Sequence, residues 1–310
     1  MKTIFNKMKF GRVLSMLAVL AIATLLLIGT TGCGEGDEGS ERLKVAADIM
    51  PLADFCNNVG RELVEVEMLI PAGASPHNYE LTSEQMKFLS GADMLVLNGL
   101  DLTPWAEDIF DKVDNPDMVR VRAAEAVPAP DLIEASDGAY DPHVWLDPEL
   151  AVHQVEAIRD GFVEADPDNG EIYRENADAC IDELRGLSEY IGGEVSTFTR
   201  RKFVSFHPAW SYFARRYGLE QVGVVEELPG KEPGVGEIAD LVELIRAEGV
   251  EVIFTEPQFN PKAAEVIAEE SGADVVLKSL DPLGDPDDEE KDTYVKFMKN
   301  DVGIMAEAMR

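Results

Sequence analysis

A chain of 310 residues with 45% hydrophobic side chains can form one large or two medium domains, each around a real core. It carries 60 acidic against 27 basic residues, a formal charge of −33. A surface this acidic repels nucleic acid, which argues against a DNA- or RNA-binding role, and is read as a heavily solvated face.

The first residues read as a targeting segment rather than as part of the fold. Lys2, Lys7, Lys9 and Arg12 precede an uncharged apolar stretch, Val13 to Ile28, and Thr30-Thr31-Gly32-Cys33 follows. This is the signal-peptide pattern, with small residues ahead of the cleavage site. Cys33 stands where a lipobox places its lipid-modified cysteine, although Thr30 replaces the usual Leu. The expectation is a signal peptide over 1–32, lipidation at Cys33 and a lipidated tether over 33–42, with the protein outside the cytoplasm and anchored to the cell membrane. A plain N-terminal anchor is the other reading, but the apolar stretch is short for a spanning helix. In that setting Cys56 and Cys180 are free to pair; the reading preferred is two buried, separate thiols.

From Leu43 short apolar runs alternate with helical segments. Leu43–Asp48, Val64–Ile70, Met94–Asn98 and Met118–Arg122 read as strands, and Leu52–Gly60, Ser83–Ser90 and Pro104–Phe110 as helices. A βα alternation of this kind predicts a mainly parallel sheet. A further helical segment, after Pro148, holds His153.

Between Pro167 and Thr197 the pattern changes. Tyr173, Ala177, Cys180, Leu184, Leu187, Ile191 and Val195 recur every three or four residues, one apolar stripe on a single long helix. Asp166-Pro167 marks its start and Gly192-Gly193 weakens its last turns. About thirty residues would span about 45 Å, enough to brace two lobes.

A second βα series follows. Phe203–Phe206, Glu220–Val225, Val250–Phe254 and Asp274–Lys278 read as strands, with helices over Pro208–Tyr217, Gly236–Glu248 and Pro261–Ser271 and a closing helix from about Glu289 to Met309. The fold class predicted is α/β: two lobes (43–166 and 199–310), each with its own core and a mainly parallel sheet, joined by a rigid helix over 167–198.

Four histidines occur, and three stand beside a proline: His77 after Pro76, His143 after Pro142, His207 before Pro208. Proline restricts its own φ and the residue before it, which holds a ligand in place before an ion arrives. Asp281, directly before Pro282, follows a strand in the same way. Loops at the carboxyl ends of strands line the ligand crevice of an α/β sheet. A cleft between the lobes would therefore gather His77, His143, His207 and Asp281. Three imidazoles and a carboxylate suit tetrahedral Zn(II); copper and nickel also accept imidazole, and Mn(II) asks for more oxygen. Glu256 is a candidate for orienting a ligand histidine. His153 reads as an ordinary histidine, and Trp105, Trp145 and Trp210 as packing around the cleft.

These segments resemble the metal-specific substrate-binding proteins of ABC importers, the zinc and manganese receptors. The resemblance runs from Leu43 to the C-terminus. It is carried by Pro71–Glu80, Asp141–Pro148, His207–Leu219, Ile253–Gly272 and Leu280–Gly284. It implies two lobes joined by a long helix and a metal held by His77, His143, His207 and Asp281. It also implies an ABC permease as partner. A His-rich loop common in zinc members is missing between the first two ligands, where Asp131, Glu134, Asp137 and Asp141 read as a solvated acidic loop. His207, at a position where manganese members often carry Glu, favours zinc.

The function expected is capture of Zn(II) by a monomer that passes it to the permease, with Mn(II) as the alternative ion. A secreted zinc hydrolase is the rival from another class. It would need an open coordination position and a general base, and no His-Glu-x-x-His pair is present. An adhesin retaining this fold has no separate support, because the chain holds no repeats.

Overall fold

The computed structural model describes residues 42–105, 113–135, 138–272 and 275–310. The signal segment, Cys33 and most of the tether lie outside the described residues, as does the greater part of the helix expected over Pro104–Phe110.

The first sheet contains β1 (Leu43–Ala47), β2 (Val64–Met68), β3 (Met94–Leu97) and β4 (Val119–Arg122), in the order β2-β1-β3-β4 and parallel throughout. Its helices are α1 (Met50–Gly60), α2 (Ser83–Leu89) and α3 (Pro148–Ala165). The second sheet repeats the plan with β5 (Lys202–Ser205), β6 (Glu220–Val224), β7 (Val252–Thr255) and β8 (Val276–Ser279), in the order β6-β5-β7-β8, again parallel. Its helices are α5 (Ser211–Tyr217), α6 (Val235–Glu248) and α7 (Lys262–Ser271). The α/β class with two parallel-sheet lobes is therefore as predicted.

The linking helix, α4, spans Gly170–Val195, and Pro167–Asn169 forms a separate 3₁₀ turn ahead of it. Asp166 holds that junction by accepting hydrogen bonds from Asn169 Nδ2 at 2.6 Å and Tyr173 Oη at 2.8 Å. All seven residues of the predicted stripe are buried. Gly192-Gly193 does not end the helix early. Ile191 and Val195 remain buried on either side of the pair, and Arg201 Nη1 caps the Val195 carbonyl at 2.8 Å.

The closing helix, α8, runs Tyr294–Met309 and starts later than expected. Residues 285–291 fold instead into a turn closed by Asp285 N to Lys291 O at 3.2 Å, and Thr293 accepts from Lys296 N at the helix start.

The prediction of a separate core in each lobe needs correction. One continuous core runs from Val45 and Leu52 through Tyr173, Leu184 and Ile191 to Phe203, Phe254 and Met305. The reason is α4, whose stripe packs against α1 and α3 on one side and α8 on the other. Smaller clusters cover the outer faces, around Leu89 and Leu95 in the first lobe and Ile245 and Ile253 in the second. Cys56 and Cys180 both lie in the shared core and both are free, matching the reading as separate thiols. Burial raises both thiols, Cys180 to about 12, so neither is a reactive thiolate. No helix among the described residues is long and apolar enough to cross a membrane.

Candidate metal centre

In the order β6-β5-β7-β8 the chain reverses direction of addition between β5 and β7, and such switch points open a crevice at the strands' carboxyl ends. His207 follows β5 and Glu256 follows β7, so the two flank that crevice. Both are buried, and the Glu256 oxygens lie 2.7 and 2.8 Å from His207 Nδ1.

The equivalent switch point of the first lobe, between β1 and β3, is filled differently. Asp48 and Asn98 end these strands, and Asp48 accepts the Ile49 and Asn98 backbone N–H groups at 2.8 Å each. Burial lifts Asp48 to about 7 despite these hydrogen bonds. Asn98 Nδ2 in turn donates to the Pro142 carbonyl at 2.9 Å, and Gln154 Nε2 donates to Asn98 Oδ1 at 2.9 Å. This polar chain positions the loop carrying His143, which then enters a 3₁₀ turn at Val144. Asp141 completes the placement: its Oδ1 lies 2.8 Å from His143 Nδ1 and 3.0 Å from the His143 backbone N. Asp141 is buried, so its reading as part of a solvated acidic loop was wrong.

His77 arrives from the loop after β2. That loop turns at 75–78 and is braced where Gln85, in the capping box of α2, donates to the Leu69 carbonyl. The three imidazoles meet: His143 Nε2 lies 3.2 Å from His77 Nε2 and 3.2 Å from His207 Nε2. Burial, with the two neighbouring imidazoles adding to it, lowers His77 to about 2 and keeps it neutral.

The carboxylates determine what these contacts can be. A carboxylate at Nδ1 requires a proton there, which leaves the Nε2 of a neutral imidazole as a bare lone pair. With both rings neutral, His143 and His207 direct two lone pairs at each other across 3.2 Å. Two acceptors so placed repel unless a cation lies between them. Tetrahedral ligands at zinc–nitrogen distances stand about 3.3 Å apart, close to what is seen. The central cavity, bounded by these rings with Trp145, Gln258, Phe259 and Leu283, holds little more than one water-sized sphere, room for an ion and too little for an organic ligand.

Asp281 stands beside this trio rather than within it. Among the described residues the group of ligating side chains within 4.8 Å of one another is His77, His143 and His207. The Asp281 carboxylate is engaged by Gln258 and Lys291, and its backbone N donates to Asp301 Oδ1 at 3.1 Å. Burial pushes the Asp301 carboxyl well above the usual range. Sequence reading passed over Asp301, yet a signal existed: it is an acid on the apolar stripe formed by Phe297, Met298, Val302 and Met305. Of the tryptophans, Trp145 lines the cavity and donates to the Pro282 carbonyl at 2.7 Å, while Trp210 is packed into the core against Phe213. His153 pairs with Glu156 on α3, away from the trio.

Comparison with known proteins identifies the family and the fold. The family described as "Zinc-uptake complex component A periplasmic" matches residues 45–308. The manganese-binding lipoprotein MntA of Halalkalibacterium halodurans is 31% identical over 304 residues, covering 96% of this chain and 97% of its own. The high-affinity zinc uptake system protein ZnuA of Bacillus subtilis is 28% identical, covering 93% and 95%. A crystal structure of ZnuA superposes with a TM-score of 0.77 at 33% identity, over 86% of this chain and 99% of that one. With a family model and relatives that match it along almost its whole length, the chain belongs to the zinc-uptake component A family, the metal-binding receptors of ABC importers.

Proposed function

We propose that this receptor captures Zn(II) through His77, His143, His207 and Asp281 and delivers it to an ABC permease, as a monomer held outside the cytoplasm by a lipid on Cys33. The observation that carries the reading is the 3.2 Å approach of Nε2 on His143 to Nε2 on His207, with a buried carboxylate at each Nδ1. Asp281 enters as the fourth ligand because it stands on the same strand-end loops, directly beside the cavity wall formed by Gln258 and Leu283. Four protein donors leave no position for a reactive water, which favours carriage of the ion over hydrolysis.

Mn(II) is the second reading, favoured by the manganese binding for which the Halalkalibacterium relative is named. Nitrogen outnumbers oxygen three to one in the proposed donor set, which weighs towards zinc. Elemental analysis of protein purified without added metal, followed by Zn(II)/Mn(II) competition, tests the assignment. One equivalent of zinc that Mn(II) does not displace is expected; displacement at equal concentration would make manganese the ion. His143→Ala should abolish tight binding, and unchanged binding would sink the site.

A further inference from the structure

The two oxygens of Asp281 are held by different partners. Oδ1 accepts Gln258 Nε2 at 2.9 Å and the backbone N–H groups of Leu283 and Gly284 at 3.3 Å each. Oδ2 faces Lys291 Nζ at 3.4 Å. Lys291 has a second acid within reach, Asp288 Oδ2 at 3.5 Å. Gln258 itself lines the cavity of the three imidazoles, so the side chain that holds Oδ1 also borders that space.

These restraints differ in stiffness. The turn holding Oδ1 is rigid: Gly284 has φ +74, and a Cβ there would come within 2.9 Å of the Lys291 carbonyl. Freeing Oδ1 would leave up to three donors unpaired beside a buried carboxylate. Among the described residues, Oδ2 is held only by a flexible ammonium side chain with an alternative partner. A buried carboxylate cannot stand unpaired without large cost, so one cation must replace another.

We propose, building on the reading of Asp281 as a ligand, that Gln258 and Lys291 set the ion selectivity of the site. Gln258 and the 283–284 turn keep Oδ1 off the ion. Asp281 then binds through Oδ2 alone, in exchange for Lys291, which moves to Asp288. One carboxylate oxygen and three imidazoles make four donors. That number satisfies Zn(II) and leaves Mn(II), Mg(II) and Ca(II) short of oxygen.

The test uses the full chain and measures Zn(II) and Mn(II) affinity, with the visible spectrum of bound Co(II) reporting coordination number. Lys291→Met should tighten zinc about three- to tenfold, because the competing cation is gone. The same substitution in an Asp281→Asn background should do much less. Gln258→Ala should weaken the intense four-coordinate Co(II) bands and narrow the preference for zinc over manganese. Equal effects of Lys291→Met in both backgrounds would reduce Lys291 to a distant charge and overturn the exchange. Unchanged Co(II) bands and an unchanged zinc preference in Gln258→Ala would overturn the role of Gln258. Should Asp281→Asn fail to fold, Asp281→Ser completes the same cycle. Zinc affinity untouched by either Asp281 variant would remove Asp281 as a ligand and this proposal with it, while the three-histidine site would stand or fall separately on His143→Ala.

Discussion

His143 and His207 show how one atom's protonation is decided elsewhere in the chain. Asp141 and Glu256 each fix an Nδ1 proton and so aim an Nε2 lone pair. Asp141→Asn and Glu256→Gln should each lower zinc affinity about 10- to 100-fold without removing a ligand, measurable by competition with a chromogenic chelator. His77 supplies a pH dependence. Its folded-state value is lowered to about 2, so below the ordinary histidine range, near 6.5, the unfolded chain takes a proton that the folded chain refuses. Metal-free protein therefore loses stability through His77 as pH falls below about 6.5, and keeps it above. In urea titrations at pH 7.5 and 5.0, a His77→Gln variant should gain on the parent at the lower pH. A constant difference between the two would contradict the buried, neutral imidazole.

At the scale of elements, the two sheets share an order but use their switch points differently. The second lobe puts His207 and Glu256 directly there, so sequence position and role coincide. The first lobe fills the equivalent place with Asp48 and Asn98 and brings His143 to the trio on a loop that these residues support. The βα alternation and the proline beside each histidine of the trio were legible because they are local. Asn98 was not, since nothing near it in sequence foretells a bond to a carbonyl 44 residues away. Helix α3 approaches its sheet at Gly161, where a Cβ would stand 2.6 Å from Val121 Cγ2 and 3.0 Å from Met94 Cε. Gly161→Ala should cost about 1–3 kcal/mol in thermal or urea unfolding while leaving metal stoichiometry intact.

Across the whole molecule, one core and a set of long-range bonds join the lobes. Arg216 Nε contacts both oxygens of buried Asp147 at 2.8 and 2.9 Å, and Tyr294 Oη donates to the Trp145 carbonyl at 2.6 Å. Leu184 is buried at the middle of the shared stripe. Leu184→Ala should lower stability by about 2–5 kcal/mol and do so in a single transition seen by probes in both lobes. Two separated transitions would mean that the lobes unfold independently.

By itself the sequence pointed to the α/β class, the long helix and the three proline-flanked histidines His77, His143 and His207. Each rests on periodicity, local turn chemistry or scarcity, which operate over a few residues. Only the tertiary structure decided that the lobes share one core, that Asp141 is buried behind His143, and that Asp281 is held by Gln258, Lys291 and Asp301. Those outcomes depend on which side of a helix or loop meets a distant partner, and burial is what turns an ordinary acid into one that sets a proton or a charge.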